Sequence, residues 1–200
     1  MGKAYITDAV QPGENTIVLQ CDRFSVKGEI EPIYVKGNFT VHSSGSQWTI
    51  APCNPMGPGT IISQGYPFYP GAILYEYELN CHSTPASAVL KLLGTEATCC
   101  SVKVNDSAPL LVGVKEKADV IDIADCLLEG KNRITVRLCA SYKNTFGPHF
   151  DAAKPRREAW PTMWREAPPH SPSPDMYDLI PYGFDGRMEI FIRDKASSQG

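Results

Sequence analysis

The stretch Arg133-Ile-Thr-Val-Arg-Leu-Cys139 decides how this chain folds. Ile134, Val136 and Leu138 share one side of an extended backbone, and Arg133, Thr135 and Arg137 share the other. That is the period of two expected of a half-buried strand. Arg187 to Arg193 repeats it, with Met188, Ile190 and Ile192 inward. In Leu74 to Leu79, Tyr75, Tyr77 and Leu79 take one face, while Glu76 and Glu78 take the other. Further strand patterns lie at 16–20, 33–41, 88–93 and 102–104, and Trp48 in Gln47-Trp-Thr-Ile50 is placed in the core. Only 123–129 can make a helical turn, ended by Gly130. Punctuated by 17 Pro and 16 Gly, these short runs predict an all-β chain: an antiparallel β-sandwich of the jelly-roll kind.

At 200 residues, such a sandwich can bury a core without disulfide staples. Nineteen Lys+Arg against 22 Asp+Glu give a net charge of −3, which leaves no basic excess for phosphates and excludes nucleic acid as the main partner. No apolar run approaches the ~18 residues of a membrane-spanning helix. The cysteine count is odd, at 7, with no C-x-x-C pair. Cys81, His82, Cys99 and Cys100 form two adjacent pairs, a poor geometry for tetrahedral zinc. No cofactor is expected; a structural Ca²⁺ is compatible with such a sandwich, but no spacing of carboxylates marks one. Free thiols and an N-terminus without a signal-like apolar stretch favour a cytoplasmic setting. A leader on a longer parent chain would make it secreted.

One segment breaks the strand pattern. Residues 141–185 hold eight prolines and eight aromatic side chains: Tyr142, Phe146, Phe150, Trp160, Trp164, Tyr177, Tyr182 and Phe184. A disordered loop is depleted in aromatics. The segment therefore reads as an ordered, Pro/aromatic-rich loop, folded back over the sandwich by its rings.

Several stretches are similar, in order, to one family. Tyr34-Val-Lys-Gly-Asn-Phe-Thr-Val41 resembles an opening strand, and Gln64-Gly-Tyr-Pro-Phe-Tyr-Pro-Gly71 the turn into the next. Val102-Lys-Val-Asn105 resembles a V-x-V-N-G turn, with Asp106 in place of the glycine. Gly130-Lys-Asn-Arg-Ile134 resembles a G-x-N-x-I connection. Ser141-Tyr-Lys-Asn-Thr-Phe-Gly-Pro-His149 resembles the start of the family's long loop, and Tyr177-Asp-Leu-Ile-Pro-Tyr-Gly-Phe184 its end. The family is the galactose-binding-like jelly roll attached to large bacterial glycoside hydrolases, family 2-like and α-L-rhamnosidase-like. The resemblance implies a sandwich over 31–194. Residues 1–30 are expected to end a preceding module or to form an N-terminal extension, because Gly13-Glu-Asn-Thr-Ile17 looks like a second G-x-N-x-I connection. Residues 195–200 read as a polar tail or linker.

Glycoside hydrolysis needs two carboxyls about 5 to 9.5 Å apart. Glu76 and Glu78 share a face, but one that alternation points at solvent. Asp175, Asp178 and Asp185 lie in the long loop, where turn duty or sugar hydroxyls can occupy them. No G-x-S-x-G elbow occurs. The chain by itself is therefore expected to be non-catalytic. Sugar recognition asks for flat rings and planar polar groups. Trp160 and Trp164 share a face if the segment around them makes a helical turn, and Arg157, Asn144 and His149 are donors near them in sequence. With Tyr177 these are the candidate substrate-binding residues. Against each stands a packing role: the tryptophans pinning the loop, and His149 and Asn144 locking turns. The expected partners are a carbohydrate and an adjoining catalytic domain of the same polypeptide. A purely structural interdomain module and a self-sufficient glycosidase are the alternatives.

Overall fold

The alternation at 133–139 becomes the strand that organises the fold. The computed structural model describes residues 2–20, 23, 33–112, 120–147, 149 and 172–194. The chain divides into two units, Met1–Gly37 and Asn38–Gly200. In the larger unit the strands, in chain order, are β1 (Thr40–Ser44), β2 (Gln47–Ala51), β3 (Gly59–Thr60), β4 (Ala72–Cys81), β5 (Ser87–Leu92) and β6 (Thr95–Glu96). They continue as β7 (Cys99–Val104), β8 (Leu110–Val112), β9 (Val120–Asp122), β10 (Gly130–Cys139), β11 (Gly183–Phe184) and β12 (Met188–Arg193). One sheet runs β4-β10-β7-β8 and another β12-β5-β9, with a short β3-β11-β6 ribbon and a β1-β2 hairpin. All pairings among the described residues are antiparallel. The fold is an all-β sandwich.

Strand β10 pairs with β4 along its whole length, Gly130↔Cys81 to Cys139↔Ala72. Ile134, Val136 and Leu138 are fully buried. They join one core with Val102 and Val104 of β7 and with Ala88, Leu90 and Leu92 of β5. Each such Val, Leu or Ile side chain contributes about 1.5–3 kcal/mol by leaving water. Tyr182 carries the connection into β11 through this core. Its hydroxyl lies 2.8 Å from Gly71 O and 3.0 Å from Leu138 O, donating toward both. Burial, with Cys139 nearby, pushes its phenol up to about 12. Phe184 follows, fully buried and edge-on to Tyr75 at 5.4 Å.

Five expectations change. Ile192 is 42% exposed rather than inward; among the described residues β12 is an edge strand, paired with β5 alone. Of the run 33–41 only Thr40 and Val41 are strand; the β1-β2 register, closed by a turn at Gly45 (φ 60), ends at Thr40↔Ala51. Residues 16–20 form no strand. Trp48 is half-buried rather than in the core, since its hairpin is a ribbon of its own. The turn near 123–129 is a 3-10 turn at Ala124–Cys126, and Gly130 opens β10 instead of ending a helix.

The two asparagine motifs meet. Asn132, 1% exposed, donates from Nδ2 to Leu128 O (2.8 Å) and Gly130 O (3.0 Å), and its Oδ1 accepts from Leu128 N (2.8 Å). Asn105 Nδ2 donates to Cys126 O (2.9 Å) and to Asn132 Oδ1 (2.8 Å), while its own Oδ1 accepts from Arg133 N (2.9 Å). Asn105 itself takes the left-handed conformation, φ 51. That explains why Asp106 can stand where the pattern has glycine: asparagine tolerates positive φ, and the residue after it need not adopt it.

Within Met1–Gly37, Asn15 makes the same local bonds as Asn132. Its Nδ2 donates to Gln11 O (2.8 Å) and Gly13 O (3.0 Å), and its Oδ1 accepts from Gln11 N (2.9 Å). Gly13 and Gly130 share positive φ, 99 and 87.

Candidate functional site

Directly beyond β10 the chain enters one helical turn, α1 (Lys143–Phe146). Ser141 Oγ accepts from Lys143 N at 3.3 Å at its start. Gly147, with φ 76, ends it and donates to Lys143 O at 2.8 Å. A helical turn puts positions four apart on one face, and Tyr142 and Phe146 accordingly stack, centroids 5.5 Å apart and planes at 26°. They are 62% and 51% exposed. Two large rings, one stacked against the other at the surface, form an apolar platform.

The residues between and below them hold that platform in place. Asn144 is buried, with Nδ2 donating to Ile180 O (2.9 Å) and Oδ1 accepting from Ile180 N (2.8 Å). Thr145 Oγ1 donates to Phe68 O at 3.0 Å. Lys143 Nζ donates to Asp178 O at 2.7 Å and pairs with Asp178 Oδ2 at 3.1 Å. The two side chains are only 17% and 3% exposed. Asp178 N in turn donates to His149 O at 3.0 Å. The start and end of the long loop, two separate motifs in sequence, are therefore clasped to one another.

An aromatic cluster completes the support. His149 stacks on Tyr177 at 4.7 Å and 23°, and lies edge-on to Phe68 at 5.8 Å. Trp48 is edge-on to Phe68 at 5.0 Å and to Tyr177 at 5.3 Å. Trp48 Nε1 and His149 Nδ1 are buried without a hydrogen-bond partner. Burial lowers the His149 pKa, and the Lys143 ammonium lowers it further; Asp178 opposes both. The net shift favours the neutral ring.

Of the sequence-predicted site residues, Asn144, His149 and Tyr177 come together in this support. Trp160, Trp164 and Arg157 lie outside the described residues. Tyr142 and Phe146 were absent from the predicted set; their spacing of four between Ser141 and Gly147 was the signal. Glu76 and Glu78 lie on the solvent face, with Glu78 3.7 Å from Lys131 across the strands. The loop aspartates have protein partners: Asp175 accepts from Ser173, Asp178 holds Lys143, and Asp185 holds Arg187 through N (2.9 Å) and Nε (2.8 Å). Hydrogen bonds from Arg187 hold the Asp185 carboxyl below its usual range.

A polar cleft of about 260 Å³ also opens between Glu78, Asn105, Asp106, Lys131, Asn132 and Arg133, but its asparagines are engaged with one another and with backbone at 126–133. Among the described residues, no three His, Cys, Asp or Glu side chains gather to hold a metal ion. Nor does any helix there have the length and apolarity to cross a membrane.

Two solved structures are similar to this chain. A rhamnosidase from Novosphingobium sp. PP1Y matches 84% of it at 18% identity and a TM-score of 0.42, over 16% of that enzyme's chain. A β-D-mannosidase from Dictyoglomus thermophilum matches 52% at 17% identity and a TM-score of 0.30, over 15% of its chain. The chain thus spans less than a fifth of either glycoside hydrolase. No protein-family model and no curated protein matches it.

Proposed function

We propose that the larger unit is a galactose-binding-like, carbohydrate-recognising accessory domain of a multidomain glycoside hydrolase, without catalysis of its own. The observation that carries this reading is the exposed Tyr142–Phe146 stack, on a turn fixed from beneath by Asn144, Lys143 and Thr145. Rigid rings lose little entropy on binding and offer a flat face to the apolar side of a pyranose. Trp160 and Trp164, with Arg157 as donor, extend the proposed site from their spacing in sequence. The test is retardation of the chain in native gels containing plant polysaccharides. Tyr142→Ala with Phe146→Ala abolishes retardation while the melting temperature stays near wild type; Trp160→Ala with Trp164→Ala is the parallel arm. Hydrolysis of aryl glycosides by the chain, lost in Glu76→Gln, overturns the non-catalytic reading.

A second reading, a structural module packed on a neighbouring domain, is favoured by Leu74 and Leu111. Both point away from the core at 58% and 62% exposure, at the two ends of the row Leu74↔Arg137↔Ser101↔Leu111. Under that reading Leu74→Asp with Leu111→Asp weakens docking onto the catalytic domain, and no polysaccharide retards the chain.

We also propose that residues 1–30 close a preceding module, with the sandwich over 31–194 and a linker over 195–200. What supports this is that Asn15 and Asn132 make the same bonds within their own loops: in the second case that loop leads into a paired strand. The exposed Ile17, Val18 and Leu19 are then the strand that the other module pairs. Their amides should exchange quickly in this chain and slowly in the longer polypeptide; fast exchange in both contradicts the assignment.

A further inference from the structure

Cys99 and Cys139 are direct register partners of β7 and β10. Registered antiparallel residues share a face and hold their Cα atoms about 4.5–5.5 Å apart. A disulfide accepts Cα separations of about 4.4–6.8 Å. Their chain neighbours Cys100 and Leu138 point into the core, so both cysteines lie on the sheet's other face. Both are free thiols and half-buried. Thr98 N donates to Cys139 O at 3.0 Å, which fixes the strand ends against each other.

We infer that Cys99 and Cys139 are a disulfide-forming modification site, closed by exchange with a small disulfide such as oxidised glutathione. The thiolate of one cysteine attacks a glutathione sulfur, forming a mixed disulfide and expelling glutathione thiolate. The partner cysteine, deprotonated in turn, attacks the protein sulfur of that mixed disulfide and expels the second glutathione thiolate. The two cysteine sulfurs are oxidised, two protons leave them, and one glutathione disulfide is reduced to two thiols. Cys100 takes no part: it is 6% exposed, and burial, with Cys99 and Cys139 nearby, pushes its thiol up to about 11, where the nucleophilic thiolate is scarce. The bond ties the end of β10 to β7 just before Ala140, Ser141 and the Tyr142 ring. It therefore braces the backbone that leads into the platform.

The test is to treat the reduced chain with oxidised glutathione, alkylate the remaining thiols, digest with trypsin and map the products by mass. The expected product joins peptide 92–103 to peptide 138–143, two hydrogens lighter than their sum. It persists in Cys100→Ala and vanishes in both Cys99→Ala and Cys139→Ser. Unchanged exposure of Cys81 to alkylation serves as the check that each variant is folded. Persistence of the link in Cys99→Ala, or Cys139 recovered alkylated or capped by glutathione in Cys100→Ala, overturns the assignment.

Discussion

Asn105 Nδ2 donates to Asn132 Oδ1 at 2.8 Å across 27 residues of sequence, joining the turn after β7 to the loop that opens β10. Two short motifs that look independent in sequence are halves of one polar clasp at the end of the main sheet.

Loss of Asn132 leaves Leu128 N and one Asn105 amide hydrogen without their acceptor, and Leu128 O and Gly130 O without their donor. Each stranded buried polar group costs about 1–3 kcal/mol. Asn132→Ala should therefore lower unfolding free energy by about 3 kcal/mol in urea titration, since water re-satisfies some of these groups. Asn105→Gly should cost less than Asn132→Ala: glycine suits the positive φ even as the side-chain bonds are lost.

The Lys143–Asp178 pair is nearly buried, so removal of Lys143 takes a cation away from a carboxylate that is out of water. Lys143→Met alone should cost about 3–5 kcal/mol, and Lys143→Met with Asp178→Leu should recover part of that loss. Thermal unfolding checks both. A double variant no better than the single contradicts the charge-stranding account.

The neutral form of His149 is the one the fold favours. Burial, then Lys143, hold the imidazole below its ordinary 6.5, with Asp178 acting the other way. Its stabilising contribution is complete above 6.5. As pH falls through the folded-state value the unfolded chain binds the proton first, and that contribution is lost. Wild-type melting temperature should fall more steeply over this interval than that of His149→Phe, which keeps a ring on Tyr177 but does not titrate. Equal slopes contradict the assignment.

How much of this was legible in the sequence depends on how local the cause was. Strand β10 was readable because neighbours on both sides make its alternation a matter of burial: Ile134, Val136 and Leu138 had only one place to go. Residues 16–20 carry an equally apolar run, yet a strand needs a partner, and no local pattern specifies one. Ile192 was misread for a related reason, since alternation cannot tell an edge strand from an inner one. The motifs at 141–149 and 177–184 were visible as text, but their meaning as a clasp was not: Asn144 reaches Ile180 across 36 residues, and Lys143 meets Asp178 across 35. The platform was the reverse case. Tyr142 and Phe146 needed only a helical spacing and a glycine stop, and the two tryptophans farther along drew the reading away from them.

Affinity electrophoresis of wild type beside Tyr142→Ala with Phe146→Ala bears most directly on the central claim. The account predicts that at least one polysaccharide retards wild type, and that the doubly substituted chain runs as in a sugar-free gel while melting like wild type. Equal retardation of both chains, or none of either across a broad polysaccharide panel, would contradict it.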